Sequence, residues 1–119
     1  MSAPTEEKNG TGYFPAFIER LTEADIPLET CRAFMVRDRC QALFFELPAG
    51  SQSPDHTHGN EWGLVIQGQV DITIDGVTTS YGPGESYFVG EDVVHSVVNH
   101  PGLVGITVFE GTDRFTAKA

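Results

Sequence analysis

The amino-acid sequence predicts an all-β domain, built as a β-sandwich or a small β-barrel. From Ala33 onward, strand-length runs rich in β-branched and aromatic residues follow one another, separated by turns that contain glycine or proline. No segment longer than about one helical turn has a helical pattern of apolar residues. With 119 residues, the chain has room for a single domain around one hydrophobic core.

The N-terminal part of the chain is predicted to lie outside this core. Residues 1–12 are polar and rich in Gly, Thr and Glu, which indicates a flexible tail. Segment 13–18 is apolar but contains a proline, so we expect an edge strand or a short arm that packs on the domain or on a second subunit. The predicted domain therefore spans 13–119, with an arm at 13–32 and a strand-rich core at 33–110.

The clearest local signal in the core is a two-residue hairpin between 70–74 and 77–81. Its turn is Asp75-Gly76, a pair that tolerates the positive φ angles of such a turn. Alternation in the first strand places its three aliphatic side chains on one face and its polar side chains on the other. A last strand is predicted at 104–109.

The charge of the chain excludes polyanionic partners. Its 17 acidic and 7 basic residues give a formal net charge of -10. A nucleic-acid-binding protein needs a basic surface, and an anionic membrane repels an acidic one. No apolar stretch approaches the roughly 20 residues of a membrane-spanning helix. We therefore expect a small-molecule ligand or substrate, and no nucleic-acid or membrane partner.

The sequence also predicts a cytoplasmic protein. The N-terminus lacks the basic start and apolar run of a secretory signal. Cys31 and Cys40 lie nine positions apart and form no CxxC pair. Free thiols are expected in a reducing compartment, so we predict that both cysteines are unpaired and partly buried.

Three of the four histidines form a candidate metal site. His56 and His58 are two residues apart, and side chains with this spacing share one face of a strand. The turn Gly59-Asn60 is expected to fold the chain back, so that Glu61 approaches from a neighbouring strand. His95 lies in an apolar run, where an imidazole without a partner would be costly to bury. Three nitrogens and one carboxylate suit one divalent transition metal ion: Fe, Mn, Zn, Ni or Cu.

These residues coincide with two spaced motifs. The first motif of the cupin superfamily reads G-x5-H-x-H-x3,4-E-x6-G, and the second reads G-x5-P-x-G-x2-H-x3-N. The chain resembles the first from Gly50 through His56, His58 and Glu61 to Gly68, and the second at Gly84, His95 and Asn99. The resemblance to small single-domain bacterial cupins implies one cupin-type β-barrel, also called a double-stranded β-helix or jelly roll. It also implies a metal held by the motif histidines and the glutamate.

Two departures from the motifs affect the site. Only Gly59 and Asn60 separate His58 from Glu61, and a slip of one residue in a strand reverses the face of a side chain. Glu61 is therefore predicted as the fourth ligand, with a carboxylate holding a metal-bound water or a surface carboxylate as alternatives. In the second motif, Gly90 replaces the proline and Asp92 replaces the middle glycine, at positions that shape a turn.

Several nearby residues have more ordinary interpretations. His100 is expected to be an exposed loop residue. Asn99 either closes the barrel through backbone hydrogen bonds or belongs to the same turn. Trp62 is expected on the face opposite Glu61, in the core or at a subunit contact, whereas Gly63 shares the face of Glu61 and would leave space beside the metal. Three further side chains are candidates for the pocket wall: Phe45, Gln67 and Tyr87.

The resemblance implies several functions, because the fold does not choose among them. Our first prediction is a metal-dependent enzyme of the oxygenase, isomerase or sugar-processing type that acts on a small polar metabolite. The alternative is a non-catalytic module that binds or senses a small molecule through an anchoring metal. A third hypothesis is a barrel whose histidines bind metal weakly or not at all. Small cupins are similar in pairing through sheet edges and N-terminal arms, so we also predict a homodimer.

Overall fold

The computed structural model describes residues 12–118 of the chain. The predicted tail, apart from Gly12, lies outside the described residues. Within these residues the fold has one helical turn and ten strands. Their bounds are α1 (Ala16–Glu19), β1 (Thr22–Glu23), β2 (Arg32–Arg37), β3 (Cys40–Leu47), β4 (Ser51–His56), β5 (Glu61–Gln67), β6 (Val70–Ile74), β7 (Val77–Tyr81), β8 (Ser86–Val89), β9 (His95–Asn99) and β10 (Leu103–Glu110). The division into arm and core stays a prediction.

The strands form two facing antiparallel sheets. One has six strands in the order β1-β2-β3-β10-β5-β8, and the other has four in the order β4-β9-β6-β7. Side chains from both sheets meet in one buried cluster, made of Leu47, Val65, Val70, Ile72, Val89 and Leu103. The predicted all-β jelly-roll fold is confirmed. Within residues 12–118 no ladder joins the two sheets, so the predicted barrel is an open sandwich.

The predicted hairpin at Asp75-Gly76 is confirmed. β6 and β7 pair with Ile74 opposite Val77, which leaves these two residues as the turn. Both have positive φ angles, 51° and 76°, as a two-residue turn that follows the twist of the strands requires. The alternation in β6 is confirmed too, because Val70 is buried inside the sandwich.

Segment 13–18 packs on the outer face of its own six-stranded sheet. Phe14 is buried there against Phe34 and Val104, and its ring lies 5.8 Å from that of Phe44. The segment contains α1 and no strand. The segment is thus not an edge strand, and it packs on its own domain. The neighbouring Phe45 points the other way, into the sandwich.

The segment after β10 crosses back over the edge of the six-stranded sheet. The fully buried Gln41 donates to the carbonyl of Phe115 at 2.7 Å and accepts from its amide at 2.9 Å. Further main-chain bonds join Asp25 to Thr116 and Lys118 to Glu23. The segment is therefore held at one end of the sandwich by its backbone. None of the helices described between residues 12 and 118 has the length and apolar character to cross a membrane.

Candidate metal centre

Three histidines converge at this end of the sandwich. His56 ends β4 and His95 begins β9, and the two residues are directly opposite each other in the four-stranded sheet. Their ring centroids are 4.2 Å apart, and the ring of His58 lies 5.3 Å from His56 and 4.7 Å from His95. One ligand atom from each residue lies within 4.8 Å of those from the other two.

The prediction of how His58 reaches the cluster is wrong in one respect. β4 ends at His56, so His58 is not on the same strand. Residues 57–60 carry the chain from the four-stranded sheet to the six-stranded sheet, where Glu61 begins β5. The short Gly59-Asn60 link is thus a crossing between sheets, and not a hairpin turn within one sheet. Strand pairing is set by distant residues, which local spacing does not reveal.

The main chain selects the tautomer of all three imidazoles. Nδ1 of His56 lies 2.8 Å from the carbonyl of Pro54, that of His58 lies 2.8 Å from Gly59, and that of His95 lies 2.9 Å from Val93. A carbonyl oxygen only accepts hydrogen bonds, so each Nδ1 carries the proton. In each neutral ring, Nε2 is then left with a free electron pair. This is the form in which histidine binds a metal.

Burial keeps His95 in this neutral form. Its side chain is among the most buried in the protein, with a relative exposure of 1%. Burial lowers the pKa of His95, and the neighbouring His56 and His58 lower it further. The Val93 carbonyl and the Glu61 carboxylate oppose this shift without reversing it. The ring is therefore ready to donate its electron pair near neutral pH.

Glu61 lies beside the cluster but outside its closest group. Its Oε1 is 3.3 Å from Nε2 of His58, and its side chain is only 13% exposed. The other oxygen, Oε2, accepts a hydrogen bond of 2.7 Å from the hydroxyl of Thr107 on β10. The carboxylate therefore lines the interior of the sandwich and is not on the surface. Its role as a metal ligand stays a prediction.

Asn60 is a positioning residue that we did not predict. Its carboxamide accepts from the amide of Glu91 at 2.7 Å and donates to the Glu110 carboxylate at 2.7 Å. Its carbonyl also accepts from the amide of Glu110. Asn60 thus ties the crossing between the sheets to the turn before β9 and to the end of β10. The sequence indicates only a turn at this position, because the partners lie 31 and 50 residues away.

The altered second motif keeps the conformation of its turn. Asp92, in place of the motif glycine, has a φ angle of 61°. This is the left-handed region that glycine enters freely and that aspartate tolerates better than most residues. The amide of Asp92 donates to the carbonyl of His58 at 3.0 Å. The turn that leads into His95 therefore keeps its conformation despite the substitution.

A cavity of about 290 Å³ extends from the histidines into the sandwich. Phe45 and Tyr87 line it as predicted, but Gln67 is exposed and does not. The ring of Tyr87 lies over Gly63, where a Cβ atom would overlap it. The space expected beside Gly63 is thus filled by an aromatic ring. Burial, reinforced by the nearby Glu61 carboxylate, raises the pKa of the Tyr87 phenol, which stays protonated.

Two other polar residues are placed by the same strands. Asn99 lines the cavity and donates to the hydroxyl of Ser51 at 2.9 Å, across the β4–β9 pair. His100 is half-buried and not fully exposed as predicted, because its Nε2 lies 2.7 Å from the Asp71 carboxylate. His100 does not line the cavity. His100 is therefore a histidine outside the cluster and can act as a control for the three that converge.

The donor set fits a divalent transition metal. Two nitrogens bound to one ion lie at most about 4.2 Å apart, because each metal–nitrogen bond is about 2.1 Å long. The widest separation here is 4.8 Å, so small side-chain rotations are enough to bring the nitrogens together. Three neutral imidazoles with a carboxylate alongside match the mixed nitrogen and oxygen shells of such metals. The three-histidine cluster can hold an ion.

Several solved structures have a similar fold. An RmlC-like cupin from Shewanella frigidimarina is 23% identical, with a TM-score of 0.65 over 78% of this chain and 86% of that one. KdgF from a Halomonas species is 18% identical, with a TM-score of 0.62 over 74% and 84%. Oxalate decarboxylase from Bacillus subtilis is 21% identical, with a TM-score of 0.61 over 77% of this chain but only 28% of that enzyme. These similarities establish the fold.

The sequence itself identifies the family. No curated protein matches this chain. The family model described as "Cupin domain" matches residues 43–109, which is more than half of the chain and includes all three histidines of the cluster. With the two-sheet fold and the histidine geometry in agreement, the chain belongs to the cupin family.

Proposed function

We propose that this cupin holds one divalent transition metal ion on His56, His58, His95 and Glu61, and that it is an enzyme acting on a small polar metabolite. The observation that supports this most is the convergence of one ring nitrogen from each of three histidines. In all three, a hydrogen bond from Nδ1 to the main chain leaves Nε2 as the electron-pair donor of the neutral ring. Such a set suits Fe, Mn, Zn, Ni or Cu.

The chain's own residues have distinct roles in this proposal. A bound ion would polarise a substrate oxygen or, if redox-active, supply electrons. Thr107 anchors Oε2 of Glu61, so that Oε1 faces the cluster, where it would bind the ion. The protonated Tyr87 offers its hydroxyl for a hydrogen bond to the substrate. The apolar walls of the cavity exclude bulk water around these groups.

The reaction class that we propose is broad: oxygenase, isomerase or sugar-processing enzyme. The fold relative named oxalate decarboxylase supports an enzyme, because it has the same architecture over 77% of this chain. A cavity of about 290 Å³ is at the lower end of the range for small-molecule sites. The substrate is therefore a small metabolite.

One observation favours the alternative, a module that binds a small molecule through an anchoring metal without changing it. Among the cavity-lining residues within 12–118, Glu61 is the only carboxylate. Acid–base catalysis commonly uses two groups with different pKa values. Such a pair of carboxylates is missing from the described wall.

Metal content tests the proposed site. We expect untagged protein to carry one transition metal ion per chain by element analysis, and His95→Ala to lose it. Glu61→Gln should lower the metal affinity by at least about 10- to 100-fold, the loss typical when a residue that only supports a metal ligand is changed, because here a ligand itself is lost. His100→Ala is the matched control, because this histidine lies outside the cavity, and it should keep its metal. A metal content unchanged by His95→Ala would refute the site.

Turnover separates the enzyme from the binding module. We expect a metabolite screen with added Fe(II), Mn(II) or Ni(II) to reveal product formation that His95→Ala abolishes. A compound that raises the melting temperature of the metal-loaded protein without forming product would instead identify the binding module.

We further propose that the protein is a cytoplasmic homodimer. The two unpaired cysteines support a reducing compartment, and burial raises the pKa of Cys31 to about 11, so its thiol stays protonated. The dimer is supported by a partly exposed row of apolar side chains across the outer face of the six-stranded sheet. This apolar row consists of Val36, Ala42, Val108, Trp62 and Phe88, each paired with the next on neighbouring strands.

A further inference from the structure

We propose that Arg114 is a specificity-determining residue of this site, and that the substrate or ligand is a small carboxylate held between Arg114 and the histidine cluster. The inference rests on the proposed metal site and adds the class of molecule bound there. Arg114 lines the interior cavity, and it also lines the shallower depression outside, together with His56 and His58. The only described side chain with a permanent positive charge on the cavity wall is therefore close to the histidines.

The guanidinium of Arg114 is held by aromatic rings. Its central carbon lies 4.7 Å from the ring centroid of Phe115 and 5.5 Å from that of Phe109. The Phe109 ring in turn contacts His58, with centroids 5.5 Å apart. A guanidinium stacked on rings keeps its planar N–H edge available for a carboxylate. One aromatic ring thus separates the cation from the cluster.

The backbone that carries Arg114 is fixed on its C-terminal side. The next residue, Phe115, is bonded through both its amide and its carbonyl to the buried Gln41. The carbonyl of Thr116 accepts from the amide of Asp25 at 2.8 Å. The side chain is exposed, but its point of attachment is as well anchored as a strand. A rigidly held main chain positions a binding side chain accurately at the mouth of a cavity.

Arg114 has no acidic partner among residues 12–118. By contrast, Arg32 contacts Glu19 at 3.1 Å and Lys118 contacts Glu23 at 3.4 Å. The chain has 17 acidic and 7 basic residues, so carboxylates are plentiful for any cation that needs one. A cation without an internal partner beside a cavity is available to an external anion. The opposite charge of the ligand then adds to the affinity.

The donor set favours a carboxylate over a phosphate. One guanidinium fork matches the two oxygens of one carboxylate in a plane. A phosphate dianion needs more positive groups, and the cavity wall described between residues 12 and 118 includes neither a lysine nor a second arginine. Glu61 would also repel a doubly charged group more strongly than a singly charged one.

The test compares two probes that differ in charge, glycolate and glycolamide, by calorimetry. We expect metal-loaded wild-type protein to bind glycolate, and Arg114→Gln to weaken this binding about tenfold or more, since a charge-assisted bidentate pair is lost. Arg114→Lys should recover only part of the affinity because it keeps the charge without the fork. Glycolamide binding should not change. Arg39→Gln, an exposed arginine on the β2–β3 turn, is the matched control.

Element analysis of each variant separates this inference from the proposed metal site. Arg114→Gln should keep the wild-type metal content. If the wild-type protein contains no metal, the proposed function fails, and glycolate titrated into metal-free wild-type and Arg114→Gln still tests the arginine. Equal glycolate affinity in the wild-type protein and Arg114→Gln would overturn the inference. So would the absence of glycolate binding at millimolar concentrations in the wild-type protein.

Discussion

At the scale of single residues, the histidine cluster is organised by its own backbone. Each Nδ1 is bonded to a carbonyl one or two residues away, so the tautomer of each neutral ring is decided within a tripeptide. Ligands in other proteins often depend on distant carboxylates for this purpose. In this protein, the orientation of each histidine ring depends on the position of its own main chain. The loops around His58 and His95 therefore determine the quality of the site.

The pKa shift of His95 predicts a pH-dependent stability for the metal-free protein. Burial lowers the pKa in the folded state below the ordinary value of 6.5. Below this pH, the unfolded chain takes up a proton that the folded protein resists. The contribution to the free energy of unfolding is thus complete above about pH 6.5 and is lost as the pH falls towards the lowered pKa.

Urea denaturation of metal-free protein over this pH range tests the shift. The wild-type protein should lose more stability on acidification than His95→Gln, a variant that has no titrating ring at this position. The difference between the two proteins isolates the histidine from the many carboxylates of the chain. Identical pH profiles would show that the ring titrates normally.

At the scale of elements, local chemistry was predictable and long-range pairing was not. The Asp75-Gly76 hairpin is determined by two residues that tolerate positive φ, so the sequence alone indicated it. The crossing at 57–60 depends on strand β4 pairing with β9, some 40 residues later, and no local pattern encodes this. For the same reason, the position of Arg114 could not be predicted from the sequence, because it depends on the long-range contact between Gln41 and Phe115.

The packing of Tyr87 on Gly63 predicts a strong coupling between strands β5 and β8. A Cβ atom at position 63 would overlap the tyrosine ring, so Gly63→Ala should destabilise the protein by about 1–3 kcal/mol, the usual range for overpacking. In the double variant with Tyr87→Ala, the overlap disappears, and the cost of the alanine should fall by about 1 kcal/mol or more.

Chemical denaturation of the four proteins in this cycle gives the coupling energy directly. Gly82→Ala is a suitable control, because its new methyl group would meet only the flexible end of Glu85 at 3.7 Å. This control should change the stability little. Additive effects of the two substitutions would mean that the ring does not depend on the glycine.

At the scale of the whole molecule, the six-stranded sheet has two apolar faces. The inner face contributes to the core and the cavity, and the arm at Phe14 covers part of the outer face. The apolar row remains exposed beyond the arm, with Trp62 at 43% and Phe88 at 62% exposure. An exposed contiguous apolar patch is typical of an interaction surface. The motifs predicted the inner face, but only the strand order reveals the row.

The proposed homodimer makes this row its interface. Wild-type protein should sediment as a dimer at tens of micromolar, and Phe88→Glu should shift it to a monomer, because a charge would be buried without a partner. Val77→Glu is the control, since this side chain is 66% exposed on the other sheet. The net charge of -10 makes two copies repel, so dimerisation should strengthen with salt. A wild-type monomer, or a dimer unaffected by Phe88→Glu, would contradict this interface.

The way Gln41 holds the C-terminal segment has an evolutionary consequence. Within the C-terminal segment, the Gln41 side chain bonds only the peptide groups of Phe115, and the bonds from Asp25 and Lys118 likewise join main-chain atoms. The scaffold is therefore indifferent to which side chain occupies position 114. Descendants of this chain can exchange that residue and acquire new ligand preferences without first acquiring compensating mutations. Ligand selectivity at the mouth of the cavity can thus change while the fold is retained.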